Sequence, residues 1–348
     1  MNSSGILFAL GSAVLFGVAT PMAKVLLGTA DPWVLAGILY CGAGVGLFVV
    51  YLAIRGISSL SEARLTRREL PWLAAAVICG GVIGPGLLML GLARVDASAA
   101  SLLLTLEGVL TALLAWFVFK ENFDRRIALG MLAIVGGAIV LNWQPDATAA
   151  DLVGPAAIVG ACLAWALDNN LTRKVSLSDP VQIAMIKGAV AGPISLGIAY
   201  VLGSNLPPLA TIGLGALTGF LGYGVSLVLF VLALRHLGTA RTGAYFSIAP
   251  FFGAVASLLL FGDSINLQLL SAGALMALGV WLHLSERHEH EHGHEELAHE
   301  HRHAHDEHHD HAHAEDVDPT KEHSHWHGHK ALLHTHVHTP DSHHRHSH

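Results

Sequence analysis

Long apolar stretches, separated by short polar breaks, fill the chain up to residue 285. An α-helix of about 20 apolar residues is long enough to cross a hydrocarbon layer about 30 Å thick. We therefore predict ten helices, over 3–27, 33–54, 70–93, 99–119, 127–143, 152–172, 180–203, 209–234, 242–261 and 267–285. The first stretch has neither a charged leader nor a small-residue cleavage site, which predicts a retained helix rather than a signal peptide. The pattern predicts an all-α integral membrane protein with ten transmembrane helices.

The distribution of Lys and Arg predicts how these helices are oriented. Short loops that are rich in Lys and Arg stay on the cytoplasmic side of a membrane. The outer loops carry only Arg94 if the N-terminus is cytoplasmic, with Lys24 at their margin. The inner loops then carry eleven basic residues: Arg55, Arg64, Arg67, Arg68, Lys120, Arg125, Arg126, Arg173, Lys174, Arg235 and Arg241. We predict a multi-pass protein of the inner membrane with both termini in the cytoplasm, since an even number of crossings returns the chain to its starting side.

Composition and charge separate this body from the rest of the chain. Hydrophobic residues make up 53% of the chain and charged residues 13%, about half the charged fraction of a soluble protein. The net charge is −7, of which residues 286–348 contribute −9 and the body +2. The body therefore lacks the basic surface that nucleic acid requires. Cys41, Cys79 and Cys162 each stand alone in an apolar run, so we predict no disulfide.

Residues 286–348 hold 23 of the 25 histidines. They show almost no apolar periodicity, which predicts a disordered, histidine-rich cytoplasmic tail. Imidazole binds Zn, Ni, Cu and Co, and an alternating His-x-His pattern brings several rings within chelating reach. The candidate metal ligands are His288, His290, His292, His294, His299, His301, His303, His305, His311, His313, His323, His325, His327, His329, His334, His336 and His338.

A tail without any metal is the alternative interpretation. Histidines titrate near pH 6.5, so the tail would change its charge as the pH falls. An expression tag is disfavoured, because these histidines are interleaved with other residues rather than consecutive. Metal buffering or sensing on the cytoplasmic side is the interpretation that the pattern favours.

The two halves of the body resemble each other. At an offset of 142, Phe119-Lys120-Glu121 aligns with Phe261-Gly262-Asp263, and Gly137 aligns with Gly279. Near an offset of 149, Phe16 and Lys24 align with Trp165 and Arg173, and an Asp-Pro pair follows in each half. A unit of five helices is odd, so the second copy must insert upside down. We predict two inverted five-helix repeats, 1–146 and 147–285, followed by the tail, 286–348.

Small residues at helical spacing mark predicted contacts between these helices. Gly42 and Gly46, Gly80 and Gly84, and Gly215 and Gly219 form such pairs. In lipid, small residues allow helix backbones to approach closely, so we predict that these pairs lie on packing faces rather than in sites.

The duplicated pattern resembles the EamA-type permeases of the drug/metabolite transporter superfamily. In that family a Pro precedes an acidic residue at the end of a helix, and a glycine-rich helix follows. Pro250 and Asp263 reproduce the pattern in the second half; Glu121 does so in the first, where Gly108 occupies the position of the Pro. The resemblance covers roughly residues 5 to 285. It implies a ten-helix secondary carrier for small metabolites or drugs, usually exported, and a homodimer through the fifth and tenth helices.

Ionisable residues inside the predicted helices are candidates for a site, because each costs at least about 2.5 kcal/mol at the bilayer centre on insertion scales. Glu107 lies near the middle of the fourth predicted helix. A carboxyl group that burial shifts toward its neutral form can load and release a proton. A carboxyl group that only bonds neighbouring helices is the alternative. The resemblance favours the first interpretation, since the family's cavity is lined partly by the fourth and ninth helices.

A second polar group spans two consecutive predicted helices. Asp168 and Lys187 are predicted at similar depth, which favours a structural ion pair that satisfies both charges. The polar run continues through Asn169 and Asn170, and Asp168 or Asn169 could instead face a cavity together with Thr20. On the ninth predicted helix, Tyr245 and Ser247 are further candidates for substrate contact, with packing as the favoured interpretation.

Two kinds of transporter fit these observations. The first is a permease that moves a small metabolite or drug-like solute outward, with a metal-binding regulatory tail. The alternative is a carrier of divalent Zn, Ni or Co, whose tail collects or senses the ion. The predicted helices contain no histidine pair, and a dedicated metal path is expected to have one. We expect no enzymatic activity and no obligatory cofactor, since the cytoplasmic loops contain no glycine-rich nucleotide-binding motif.

Overall fold

The structure is a computed structural model, which describes residues 3–57, 65–119, 125–143, 148–176, 178–284, 289–294, 297–303, 323–329 and 332–337. Several predicted ligands and loop residues lie outside these residues. They are Arg64, Lys120, Glu121, His288, His305, His311, His313 and His338.

The body is helical throughout its described part. Its α-helices are α1 (Ser3–Leu26), α2 (Pro32–Ile57), α3 (Leu70–Ala76), α4 (Gly84–Leu92), α5 (Ala97–Leu103), α6 (Leu106–Phe119), α7 (Arg125–Leu141), α8 (Val153–Thr172), α9 (Pro180–Val201), α10 (Leu209–Gly219), α11 (Ser226–Phe246), α12 (Ala249–Phe261) and α13 (Leu267–Leu284). π-Helical turns join α3 to α4 (Val77–Ile83) and α10 to α11 (Phe220–Val225), and a 3₁₀ turn (Arg173–Val175) extends α8.

Among the described residues, six helical stretches are long and apolar enough to cross a membrane. They are Ser4–Leu26, Pro32–Ala53, Leu70–Leu92, Ala97–Leu114, Pro180–Val201 and Leu209–Leu234, and shorter apolar helices cover Ala128–Leu141, Ala249–Phe261 and Leu267–Leu282. Large apolar side chains on these helices are exposed, as on Phe48, Leu132 and Leu259. Such a surface suits a lipid environment, where apolar side chains need not be buried.

One predicted helix boundary is wrong. The sequence predicts a break over 235–241, but α11 continues through it to Phe246. The interruption follows at Ser247 and Ile248, and Pro250 lies in the first turn of α12, where its missing backbone N–H removes no helical hydrogen bond. A basic polar segment is therefore not by itself a helix stop. Nor is a proline, since Pro21 and Pro193 lie inside α1 and α9.

The same two irregularities occur in both halves of the body. The π-helical turns begin at Val77 and Phe220, 143 residues apart. The fourth predicted helix is interrupted at Leu104 and Thr105 as the ninth is at Ser247 and Ile248. At the first interruption, the Thr105 hydroxyl donates to the Leu102 carbonyl at 2.7 Å, a local bond that competes with the helical ladder.

Glycines lie where helices approach one another most closely. A Cβ on Gly44 or Gly188 would meet the backbone of the other helix at the crossing of α2 and α9. Gly219 of α10 packs in the same way on Leu39 of α2. Of the predicted pairs, this confirms Gly219 and also Gly42, where a Cβ would meet the backbone of Ala216; Gly44 and Gly188 were not predicted. The fifth and tenth predicted helices, α7 and α13, pack on each other within the chain through Gly137 and Gly279.

The tail contains four described strands, in contrast to the predicted lack of regular structure. They are β1 (Glu289–His294), β2 (Leu297–His303), β3 (His323–His329) and β4 (Leu332–Val337). β1 pairs with β4 and β2 pairs with β3, both antiparallel. The alternation of histidine with other residues has the period of two that characterises a strand. The absence of an apolar core therefore does not exclude backbone pairing in these segments.

Candidate functional site

A partly enclosed cavity lies between the two halves of the helical body. It contains about 510 Å³ of atom-free space, counted with its open mouth. Helices α1, α2, α6, α8, α9 and α11 and the second π-helical turn contribute its lining, which is Ser12, Phe16, Tyr40, Glu107, Trp165, Asp168, Asn169, Lys187, Gly222, Tyr223, Ser226, Leu227, Phe230 and Phe246.

Glu107 presents a carboxylate to this cavity from the first turn of α6. Its Oε1 accepts a hydrogen bond from Asn169 Nδ2 at 2.8 Å. Among the residues that the structure describes, nothing donates a hydrogen bond to Oε2. The interruption at Leu104 and Thr105 places Glu107 at a helix start, where backbone N–H groups favour a negative charge. Glu107 therefore combines an acceptor held in place by protein with one that is available to a ligand.

Asp168 and Lys187 form the ion pair that the sequence predicts. Lys187 Nζ donates to Asp168 Oδ1 at 2.6 Å and to Oδ2 at 2.7 Å, and it lies 3.3 Å from Thr172 Oγ1. Only 7% of Asp168 and 2% of Lys187 is exposed. The three donors of the ammonium group each have a partner, so both charges are compensated within the protein.

The first π-helical turn supports the wall of the cavity. The Gly80 carbonyl accepts hydrogen bonds from Tyr40 Oη at 2.7 Å and from Trp165 Nε1 at 3.0 Å. A π-helical turn displaces carbonyl groups from the regular ladder, which makes them available to side chains. A Cβ at position 80 would collide with the Asp168 carboxylate, so only glycine fits between the turn and the ion pair.

Aromatic and hydroxyl side chains complete the lining. Phe16 packs edge-on against Trp165 and Tyr223, with ring centroids 5.7 and 5.8 Å apart. Ser12 and Ser226 join α1 to α11: the Ser12 hydroxyl donates to the Ser226 carbonyl at 2.8 Å, and the Ser226 hydroxyl donates to the Ser12 carbonyl at 2.9 Å. The cavity is thus apolar on much of its surface, with its charges on α6, α8 and α9.

A scan for related families matches the EamA-like transporter family twice along the chain, over residues 3–143 and 152–285. The chain belongs to the EamA-like transporter family. Both matches lie within the helical body, and they correspond to the two halves that the internal resemblance defines. The family is one of membrane transporters, which fits the apolar helices and the internal cavity.

The chain is similar to proteins that are named as a transporter, an exporter and a flippase subunit. An "Uncharacterized transporter" of Methanothermobacter thermautotrophicus is 26% identical over 292 residues, which cover 80% of this chain and 85% of the relative. The "Threonine/homoserine exporter RhtA" of Escherichia coli is 27% identical over 181 residues, 51% of this chain and 61% of the exporter. The "Probable 4-amino-4-deoxy-L-arabinose-phosphoundecaprenol flippase subunit ArnE" of Pseudomonas aeruginosa is 44% identical over 82 residues, 23% of this chain and 66% of that subunit.

The fold of this EamA-like transporter also occurs among solved structures. One crystal structure aligns with a TM-score of 0.63 at 17% identity, and the alignment covers 81% of this chain and 96% of the other. At this identity the likeness concerns the fold alone.

The structure brings four of the eight sequence candidates for substrate contact to the cavity: Glu107, Asp168, Asn169 and Lys187. The others lie elsewhere. Thr20 is buried at 1% exposure outside the lining, and Asn170 Nδ2 donates to the Ala166 carbonyl of its own helix. Tyr245 packs in a small apolar cluster with Ala9 and Ala233, and Ser247 Oγ donates to the Gly243 carbonyl.

Sequence reasoning missed the hydroxyl and aromatic part of the lining. Ser12, Ser226, Tyr40 and Tyr223 are uncharged, so their occurrence in an apolar helix gives little sign of a role. Tyr40 and Tyr223 are 183 residues apart, whereas the two halves of the body are offset by about 142 to 149 residues. The internal resemblance therefore does not single out these two tyrosines. A stronger signal is the glycine content around Tyr223, in the run Gly222-Tyr223-Gly224.

No metal centre is found in the helical body as far as the structure describes it. There, no three side chains of His, Cys, Asp or Glu come together in a group that could hold a metal ion. Cys41, Cys79 and Cys162 are free thiols, as the sequence predicts.

Proposed function

We propose that this protein is a secondary active transporter that moves a small solute with a cationic amino group outward across the inner membrane. The observation that carries the proposal is that no described residue donates a hydrogen bond to Glu107 Oε2, in a cavity whose other charges, Asp168 and Lys187, compensate each other. The cavity then has one net negative charge, and an ammonium group complements it in both charge and hydrogen bonding.

The names of two relatives favour an amine. Threonine and homoserine each carry an ammonium group, and the lipid-linked sugar named for the flippase subunit carries an amino group. The cavity of this chain offers such a group a carboxylate oxygen and nearby aromatic faces, to which cations are also attracted.

Glu107, which has no cationic partner among the described lining residues, also supports coupling to protons. A buried carboxylate is costly unless it holds a proton or a cation. If Glu107 binds either a proton or the substrate cation at one time, outward movement of a monocationic amine against one inward proton transfers no net charge. Exchange of a zwitterion such as threonine against one proton transfers one positive charge inward. The response to a membrane potential therefore reports the charge of the substrate.

We propose that the body crosses the membrane ten times as two inverted repeats. Contacts between loops support this arrangement. Ser178 Oγ donates to Glu69 Oε1 at 3.1 Å at one end of the body, and Thr29 and Thr211 hydroxyls lie 2.8 Å apart at the other. The equivalent helices α2 and α9 thus begin at opposite ends.

The experiment is transport of radiolabelled primary amines and threonine by the purified protein in liposomes, driven by an imposed pH gradient. We expect Glu107→Gln to reduce gradient-driven uptake to the level of protein-free liposomes. Asp151→Asn is the matched control, because Asp151 is an exposed carboxylate outside the cavity that accepts hydrogen bonds from the Thr148 amide and hydroxyl near the start of α8. Gradient-dependent accumulation by the Glu107→Gln protein would remove the proposal.

We also propose that the tail binds divalent metal ions and regulates the carrier, with Zn, Ni, Cu and Co as candidates. Metal binding would neutralise the negative tail and allow it to approach basic loops of the body. The only feature that favours the alternative function, transport of the metal itself, is the histidine content of the tail. Cellular Zn, Ni and Co contents distinguish the two, in cells that express the intact chain, a truncation after Ser285, or Glu107→Gln. A metal effect that Glu107→Gln abolishes would favour metal transport; an effect that only the truncation abolishes would favour a tail that buffers the metal.

Homodimerisation remains a proposal as well. The outer faces of α7 and α13 expose Leu132, Ile139, Leu270 and Trp281. These apolar faces are available to lipid or to a second copy, since the inner faces of the two helices already pack on each other.

A further inference from the structure

Tyr223 lies in the second π-helical turn, at the position that corresponds to Gly80 in the first. The two turns begin at Val77 and Phe220, 143 residues apart, and Gly80 and Tyr223 have the same separation. At position 80 only glycine fits beside the Asp168 carboxylate. The second half of the body carries a tyrosine at the corresponding position, and this tyrosine lines the cavity. The two halves therefore differ in chemistry at equivalent positions.

Packing holds the ring of Tyr223 from two sides. Its centroid lies 5.8 Å from that of Phe16 in α1 and 5.4 Å from that of Tyr40 in α2. The neighbouring Gly222 lies against Ala19 of α1, where a Cβ would collide. A side chain that is already fixed by packing loses little conformational freedom when it binds a ligand. The ring of Tyr223 is thus positioned in advance for a contact in the cavity.

The hydroxyl group of Tyr223 has no hydrogen-bond partner among the residues that the structure describes. In the same part of the chain, the fully enclosed side-chain atoms without a partner are the hydroxyls of Ser101, Ser195 and Thr242, so that of Tyr223 is accessible. Since the residue is 93% buried and lines the cavity, its accessible hydroxyl opens onto this space. A buried hydroxyl costs free energy unless a ligand or water bonds it.

The other donor side chains of the described lining are already in use. Each bonds a backbone carbonyl or a neighbouring side chain, and they are Ser12, Tyr40, Trp165, Asn169, Lys187 and Ser226. Asn169 uses both of its amide hydrogens, on Glu107 at 2.8 Å and on Thr111 at 3.5 Å. As far as the structure describes the cavity, it therefore offers a ligand one uncommitted side-chain donor, Tyr223 Oη, and the charged acceptor Glu107 Oε2.

We propose that Tyr223 Oη donates a hydrogen bond to a neutral oxygen of the substrate while Glu107 binds its ammonium group. The proposal rests on the proposed amine transport and narrows its substrate class. A substrate carboxylate would bring a second uncompensated negative charge into the cavity, since Lys187 already binds both oxygens of Asp168. One phenol does not compensate a buried charge. The favoured class is a cationic amine with a hydroxyl or carbonyl oxygen, such as an amino alcohol or an amino-acid amide, rather than a zwitterionic amino acid.

The test measures binding to the full-length protein in detergent by isothermal titration calorimetry near neutral pH. Three probes are compared: isopropanolamine; isobutylamine, in which a methyl group replaces the hydroxyl; and threonine, which carries a carboxylate. The variants are Tyr223→Phe, which deletes only the phenolic oxygen, and Glu107→Gln. Tyr200→Phe is the matched control, because Tyr200 is 84% exposed near the end of α9.

We expect the intact protein and the control to bind isopropanolamine about three- to tenfold more tightly than isobutylamine, as one neutral hydrogen bond allows. Threonine should bind more weakly than isopropanolamine. Tyr223→Phe should abolish the preference for isopropanolamine and change isobutylamine binding by less than about twofold. The retained binding of isobutylamine also shows that this variant is folded.

A preference that survives in the Tyr223→Phe protein, or threonine binding as tight as that of isopropanolamine, would overturn the assignment and leave the amine transporter in place. Equal weakening of both amines by Tyr223→Phe would overturn it as well, because the ring would then act through packing alone. Amine binding that is absent, or that Glu107→Gln does not weaken, would contradict the proposed function itself and the substrate class with it.

Discussion

At the scale of single residues, two carboxylates in one cavity have different partners. Asp168 is held by Lys187 through both of its oxygens, whereas Glu107 has a single amide donor, Asn169. The difference follows from position: Lys187 extends from α9 toward α8, and no cation among the described lining residues reaches α6. We propose a structural role for Asp168, the paired carboxylate, and substrate or proton binding for Glu107.

This assignment predicts the effect of removing one member of the pair. Lys187→Met leaves a buried, uncompensated carboxylate, and we expect it to lower the stability of the purified protein by about 3–5 kcal/mol. The double variant Asp168→Asn/Lys187→Met removes both charges and should recover most of the loss. Thermal unfolding in detergent measures both variants. Equal destabilisation by the single and double variants would contradict the assignment.

The sequence indicates which residues are charged within the membrane, but it gives less information about their direction. Glu107, Asp168 and Lys187 were identifiable because each carries a cost in lipid that must be compensated. Asn170 follows Asn169 directly, yet only Asn169 reaches Glu107, because consecutive residues on a helix differ in direction by about 100°. That difference depends on how α8 is rotated against its neighbours, which a single sequence does not specify.

At the scale of helices and strands, the apolar runs predict where helices lie, and backbone chemistry determines where they change form. The π-helical turn at Val77–Ile83 gives no sequence signal beyond its two glycines. The structure explains this turn by its partners, since Tyr40 and Trp165 donate hydrogen bonds to the Gly80 carbonyl. In the tail, the His-x-His alternation contained the strand period, but the same pattern also suits a solvated chain.

Close helix packing allows a matched test within one helix. A Cβ on Gly219 of α10 would collide with the backbone of Leu39 in α2, whereas a Cβ on Gly213 of the same helix meets nothing within 4 Å. We expect Gly219→Ala to destabilise the protein by about 1–3 kcal/mol, as overpacking does. Gly213→Ala should be neutral or slightly stabilising, because Ala favours a helix over Gly. Thermal unfolding of the two variants compares them, and equal effects would contradict the predicted contact.

At the scale of the whole molecule, hydrogen bonds group the loops into two sets. Near one end, the Leu65 amide donates to Gln182 Oε1 at 3.3 Å. Near the other, the Ser98 amide donates to Asp263 Oδ2 at 3.2 Å, and Lys24 Nζ donates to the Val95 carbonyl at 2.9 Å. The first set adjoins Arg67, Arg68, Arg173 and Lys174, which the sequence assigns to the cytoplasm. The loop contacts and the distribution of basic residues thus favour the same topology.

This topology makes a prediction on which the regulatory tail depends. Green fluorescent protein fused after His348 should fluoresce, because it folds in the cytoplasm. Alkaline phosphatase inserted after Gly203, at the end where Thr29 meets Thr211, should be active, because it requires the opposite side of the membrane. Replacement of Arg67 and Arg68 by Gln serves as a perturbation, since it weakens the basic bias without touching the cavity. An active phosphatase fused at His348 would place the tail outside the cell, and metal binding there could not report on cytoplasmic ions.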